Sequence, residues 1–181
     1  MSAEQSVENY IEIYHAVSEW IRFADAKAAV LLTVGGALAG FLIPTIQDVI
    51  RVSSEFPHLV PNWLVVCQSL FGLYLFFALL SGIQAFRCIN PFRKGGKHPS
   101  MGHCEHFHPA AISVKYKIQD VSQFVADCGE LEADELRREV QAAILVDSHI
   151  STKKYDRVKS SILHFSASVL MGFSYFVIAQ L

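Results

Sequence analysis

His103-Cys104-Glu105-His106-Phe107-His108 places three imidazoles, a thiol and a carboxyl within six residues. Imidazole and thiolate suit zinc, so His103, Cys104, His106 and His108 are the chain's candidate metal ligands. Their spacing matches no paired-ligand pattern, and no CxxC accompanies them, so the stretch reads as a polar turn and no metal is expected. Arg93-Lys94-Gly95-Gly96-Lys97 sets glycines among cations, where backbone N–H groups and lysines can cradle a phosphate. It lacks the first glycine of a Walker motif and the Ser/Thr after the lysine. The same cations also suit contact with anionic lipid headgroups. Asp25 and Lys27 stand at the edge of a long apolar run, where ionisable groups pair or reach toward the headgroups. They serve topology there, or form a polar latch. No nucleophile–base constellation accompanies these features, so the chain is read as non-enzymatic and without a cofactor.

The elements that position these residues are apolar. Of 181 residues 52% are hydrophobic, with mean hydropathy +0.32. Charged residues are 18%, against about 25% in ordinary globular chains. Crossing a bilayer takes about 20 apolar residues in a helix. Ala28–Gln47 and Trp63–Phe86 carry no charge, and Ser160–Leu181 is interrupted only by His164. Buried helices of a soluble protein would need more polar sequence to cover them, so these are three spans. Met1–Glu8 has no basic leader, and the first apolar run begins after residue 27; it is expected to stay as an anchor.

Twelve of the fifteen Lys and Arg residues lie between Arg87 and Lys159, while the segment between the first two spans has Arg51 alone. That asymmetry predicts an N-terminus inside and Leu181 outside, with Trp20 and Trp63 as interfacial anchors. Cys104 and Cys128 then sit in a reducing compartment, and no disulfide framework is expected. The order is 1–27, an inside amphipathic helix leading into the membrane; 28–47, span one; 48–62, an outside loop; 63–86, span two; 87–159, an inside helical segment; 160–181, span three. Tyr10, Ile13, Val17, Trp20 and Ala24 recur at helical spacing. They predict one helix from about residue 5 to 43, ended near Pro44 because proline removes an interior hydrogen bond. Asn90–Pro109 is turn-rich, a short helix follows over about 110–128, and another runs from about 132 directly into span three. The fold class is an all-α integral membrane protein with a helical extension bundle. A Rossmann fold, jelly roll or TIM barrel is excluded. Net charge is −2, which gives no field for nucleic acid. Gly36-x-x-x-Gly40 in span one, and Ser168 with Gly172 in span three, give the small-xxx-small spacing that lets helices approach closely in lipid. They predict packing within one chain or self-association into a homo-oligomer, with span one as the interface.

Trp20-Ile21-Arg22-Phe23-Ala24-Asp25-Ala26-Lys27-Ala28, running into Leu31, Leu32 and the glycines, resembles the opening signature of the Pycsar membrane effectors, the PycTM family. Gln141, Ile150, Lys154 and Tyr155 before the last span are similar to its closing pattern, and the resemblance covers about residues 8–181. It implies a bacterial inner-membrane effector of antiphage defence. Such an effector responds to cyclic CMP or cyclic UMP from a partner pyrimidine nucleotide cyclase by impairing the membrane, so that the cell dies or stops growing. Its partners would be membrane lipid, its own copies and that cyclase. On this reading the ligand is expected at the inner mouth of the spans, among Arg87, Arg93, Lys94, Lys97, Lys154, Tyr155 and Arg157. Arginine suits the single phosphate charge, and tyrosine suits stacking on the base. The alternative is a non-catalytic scaffold or accessory subunit of a membrane complex.

Overall fold

A computed structural model describes residues 3–55, 61–89, 106–107, 112–113 and 115–179, nearly all of them helical and none in a strand. Helix α1 is Ala3–Glu55 and α2 is Pro61–Ile89. A 3₁₀ turn, Ile118–Asp120, leads into α3, Val121–Glu130, and α4 is Ala133–Ala179. α1, α2 and α4 are each long and apolar enough to cross a membrane.

Two local expectations are corrected. Pro44 does not end the first helix, which continues to Glu55. In surroundings without water, ending a helix orphans many more backbone groups than the one bond proline removes. The neighbouring Thr45 hydroxyl donates to the Leu42 carbonyl at 2.7 Å, bracing the turn around the proline. The helix expected over about 110–128 is interrupted at Tyr116 and Lys117, which are not helical. There the Asp120 carboxylate accepts the Lys117 N–H at 2.8 Å, and this side-chain bond starts a new helix. The long helix from about 132 is present, beginning at Ala133 with Asp134 and Glu135 in its first turn, where carboxylates meet the positive end of the helix dipole.

The chain divides into two compact units. One comprises Met1–Phe23 and Pro91–Lys153, the other Ala24–Asn90 and Lys154–Leu181. The second holds the three apolar segments. Within it Asp25 meets Lys154 and Thr45 meets Tyr175, so α1 and α4 run parallel. Cys88 lies with Val158 in one cluster and Cys67 with Tyr175 in another, so α2 runs antiparallel to α4. Large apolar side chains such as Val30, Phe41, Phe76, Leu79, Leu163 and Phe173 cover its outside. Water would oppose that distribution, whereas lipid favours it.

Candidate functional site

A column of polar residues runs through the inside of the membrane-type unit, while Thr33, Gln68, Ser69 and Ser166 face outward. On α4 the buried positions Lys154, Ser161, Ser168 and Tyr175 recur every seventh residue, and on α2 so do Cys67, Tyr74, Ser81 and Cys88. A strict seven-residue period keeps one column of a helix facing the same neighbour along its length. Because the two helices are antiparallel, the columns meet as layers: Cys88 with Lys154, Ser81 with Ser161, Tyr74 with Ser168, and Cys67 with Tyr175.

The layers are chemically distinct. In the first, the Lys154 ammonium donates to both carboxylate oxygens of Asp25 at 2.6 Å. Its side chain is 6% exposed, against 37% for Asp25. Ala24, Ala28, Ala85, Cys88 and Val158 surround the pair as a buried cluster, with Tyr155 packed against it. In the second, the Ser81 hydroxyl donates to the Ser161 carbonyl at 3.0 Å, and the Ser161 hydroxyl returns a bond to the Ser81 carbonyl at 2.9 Å. In the third, Ser168 bonds back to the Phe165 carbonyl at 2.8 Å, while the buried Tyr74 hydroxyl has no hydrogen-bond partner among the described residues. In the fourth, Tyr175 Oη lies 3.2 Å from Thr45 Oγ1.

The signature at the entry of span one now has physical content. Ala24 and Ala28 share one helix face, four residues apart, and both are fully buried. Their small side chains let α2 and α4 close on α1 at the level where Asp25 takes Lys154. Trp20 lies in the other unit, half-exposed, with its ring edge-on to Phe23 at 6.4 Å; Lys27 is half-buried. Among the expected ligand residues, the structure brings Lys154, Tyr155, Arg157 and Arg87 to one end of the unit. The Arg157 guanidinium donates to the Arg87 carbonyl at 2.5 Å, capping a carbonyl at the end of α2, where cations are favoured. Lys154 is committed to Asp25. Arg93, Lys94 and Lys97 lie outside the described residues.

Of the packing residues, Ser168 and Gly172 pack within the chain. A Cβ on Gly172 would stand 2.9 Å from Leu42 Cδ1 and 3.1 Å from the Tyr74 ring. Gly36 and Gly40 are exposed and have no atom within 4 Å of such a Cβ.

The other unit holds its own polar network. Glu139 accepts the His106 backbone N–H and its Nδ1, each at 2.8 Å. Lys115 Nζ lies 2.9 Å from His106 Nε2. An ammonium only donates, so Nε2 carries the lone pair and Nδ1 the proton. With both ring nitrogens engaged, His106 has no lone pair left for a metal. His103, Cys104 and His108 lie outside the described residues, and no group of three or more potential ligands occurs among those described. Tyr116 donates to Asp127 at 2.6 Å; burial, then that bond, push its hydroxyl above the ordinary tyrosine range. Tyr14 meets Phe107 edge-on at 4.9 Å.

Sequence reasoning missed the ladder residues Cys67, Tyr74, Ser81, Cys88, Ser161 and Tyr175, and also Glu139. The seven-residue recurrence was the available signal for the first six. Glu139 carried none, because its role depends on a turn more than thirty residues earlier in the chain.

A family model described as the Pycsar effector protein domain, PycTM, matches residues 9–180. No curated protein and no solved structure matches the chain.

Proposed function

The chain belongs to the PycTM family of Pycsar effectors, proteins of antiphage defence, and from that premise we propose that it is a membrane-impairing effector switched on by cyclic CMP or cyclic UMP. The nucleotide comes from a partner cyclase that responds to infection. The N-terminus and the 87–159 segment face the cytoplasm of a bacterial cell, the three helices cross the inner membrane, and C-terminal Leu181 is outside. The protein acts without catalysis. Copies associate through the open Gly36/Gly40 face of span one.

The observation that carries the reading is the Asp25–Lys154 pair. It joins the opening signature to the closing pattern, the two stretches by which the chain resembles this family. A buried ion pair is a poor source of net stability, and in some proteins it is kept because it selects one arrangement over another. We assign it as the latch of the resting state. The nucleotide phosphate is taken by Arg87 and Arg157, with Arg93, Lys94 and Lys97, and Tyr155 offers a face to the base. Binding drives the switch only by the difference in affinity between latched and unlatched states.

The test is membrane depolarisation and growth in cells carrying the chain with a cytidylate or uridylate cyclase. The parent should be harmless alone and should depolarise and arrest the cell when one nucleotide is made. Asp25→Asn should do so without any cyclase. A parent that tolerates both nucleotides fails the reading, and the scaffold alternative takes its place.

A further inference from the structure

The route by which charge would cross this protein is also written in its packing. A pore assembled between copies would be lined by outward faces, and these carry Val30, Phe41, Phe76, Leu79, Leu163 and Phe173, with polar side chains only at scattered positions such as Thr33, Gln68 and Ser166. Such a lining sheds water. The polar atoms needed to carry charge across lipid are instead inside each protomer, and intramembrane polar residues of this kind mark ion and proton pathways.

Between the second and third layers the helices leave a crevice of about 210 Å³. Gly35 and Gly82 make room for it by lacking side chains, the exposed Gly36 stands at its mouth, and Tyr74, Ser81 and Ser168 stand in its wall. This is space for several waters, at about 30 Å³ each. Tyr74 is 1% exposed, and its hydroxyl has no hydrogen-bond partner among the described residues. A buried hydroxyl left without a bond is costly, and an acyl chain offers it nothing. A water held in the crevice would supply the missing bond. Two apolar clusters flank the crevice. Toward the ion pair stand Ala28, Ala85 and Val158; toward the other end Leu42 and Tyr175, with the adjoining Phe71, pack against Tyr74 itself. Apolar constrictions of this sort close a path by excluding water.

We propose that each protomer contains a proton path: the hydroxyl ladder of α2 and α4, hydrated at its middle, and closed at rest by the two apolar clusters and the Asp25–Lys154 latch. The conducted species is the proton. A hydroxyl or water accepts a proton on one side and passes its own on the other, so charge moves with no other bond made or broken. Helices packed this closely leave no width for larger solutes. The path rests on the effector reading above and specifies how the membrane is impaired.

The test uses the full-length protein in phosphatidylethanolamine–phosphatidylglycerol vesicles holding both a pH indicator and carboxyfluorescein, under an imposed potassium diffusion potential. Cyclic CMP or cyclic UMP should start proton entry while carboxyfluorescein stays inside. Tyr74→Phe keeps the ring and removes only the unpartnered hydroxyl. Its melting temperature should equal or exceed the parent's, while proton entry slows by about tenfold. Proton entry at the parental rate in Tyr74→Phe overturns the path and leaves the crevice a seat for lipid. Escape of carboxyfluorescein as fast as protons enter the parent also overturns it. Asp25→Asn separates the two readings. Protons passing in Asp25→Asn but with neither nucleotide in the parent would uphold the path and fail nucleotide activation. No proton entry in either case overturns the path.

Discussion

At the scale of single residues, the ion pair is asymmetric, and its two halves should respond differently to removal. Stripping one partner from a buried pair costs about 3–5 kcal/mol, because a charge is left without compensation. Lys154 is nearly enclosed and Asp25 is over a third exposed. Asp25→Asn therefore strands a buried ammonium and should approach that cost. Lys154→Gln leaves a carboxylate that still reaches water and should cost about 1 kcal/mol. Denaturant titration in mixed micelles checks the order; equal losses would place Lys154 in a wetter setting. The sequence made Asp25 conspicuous, an acid at the mouth of an apolar run. It gave no direct sign that Lys154 was its partner, because the two lie 129 residues apart and Lys154 is one of four cations in a row of seven residues. The expected role of Lys154 as a direct phosphate contact reflects that local view.

At the scale of elements, helix packing separates two kinds of small residue that look alike in the sequence. A Cβ on Gly172 would meet Leu42 at 2.9 Å and Tyr74 at 3.1 Å, so that Leu42 must shift and the ring must give, whereas Gly36 and Gly40 face open space. Gly172→Ala should destabilise the unit by about 1–3 kcal/mol through overpacking, and less if Leu42 adopts another rotamer. Gly36→Leu with Gly40→Leu should leave the protomer's stability unchanged and abolish crosslinked oligomers in membranes. Thermal unfolding read beside crosslinking tests both at once. Existence and type of the long helices were legible from uninterrupted apolar runs. The extent of α1 was not, because the proline rule assumes water ready to satisfy the freed carbonyls. The helix over 110–128 failed for the opposite reason: one aspartate side chain bonded to backbone outweighed a continuous helical pattern.

At the scale of the whole molecule, the distribution of charge fixes an expected topology. Reporter fusions at residue 55, residue 100 and the C-terminus should read outside, inside and outside, since basic residues crowd the 87–159 segment and Arg51 alone lies in the opposite loop. An inside signal at residue 55 would overturn the three-span order. Three membrane helices were visible in composition alone; that a polar column runs through their shared interior was visible only in the recurrence of Lys154, Ser161, Ser168 and Tyr175. That recurrence also carries an ambiguity. Slide α2 past α4 by one period, about 10 Å, and hydroxyl columns still face each other, Ser81 against Ser168 in place of Ser161. A repeating code cannot say where it starts. Only the end of the column is singular, where Asp25 of α1 takes Lys154 and the Arg87 carbonyl of α2 takes Arg157, so these two links serve the inserting chain as an address mark, telling otherwise interchangeable rungs which is the first.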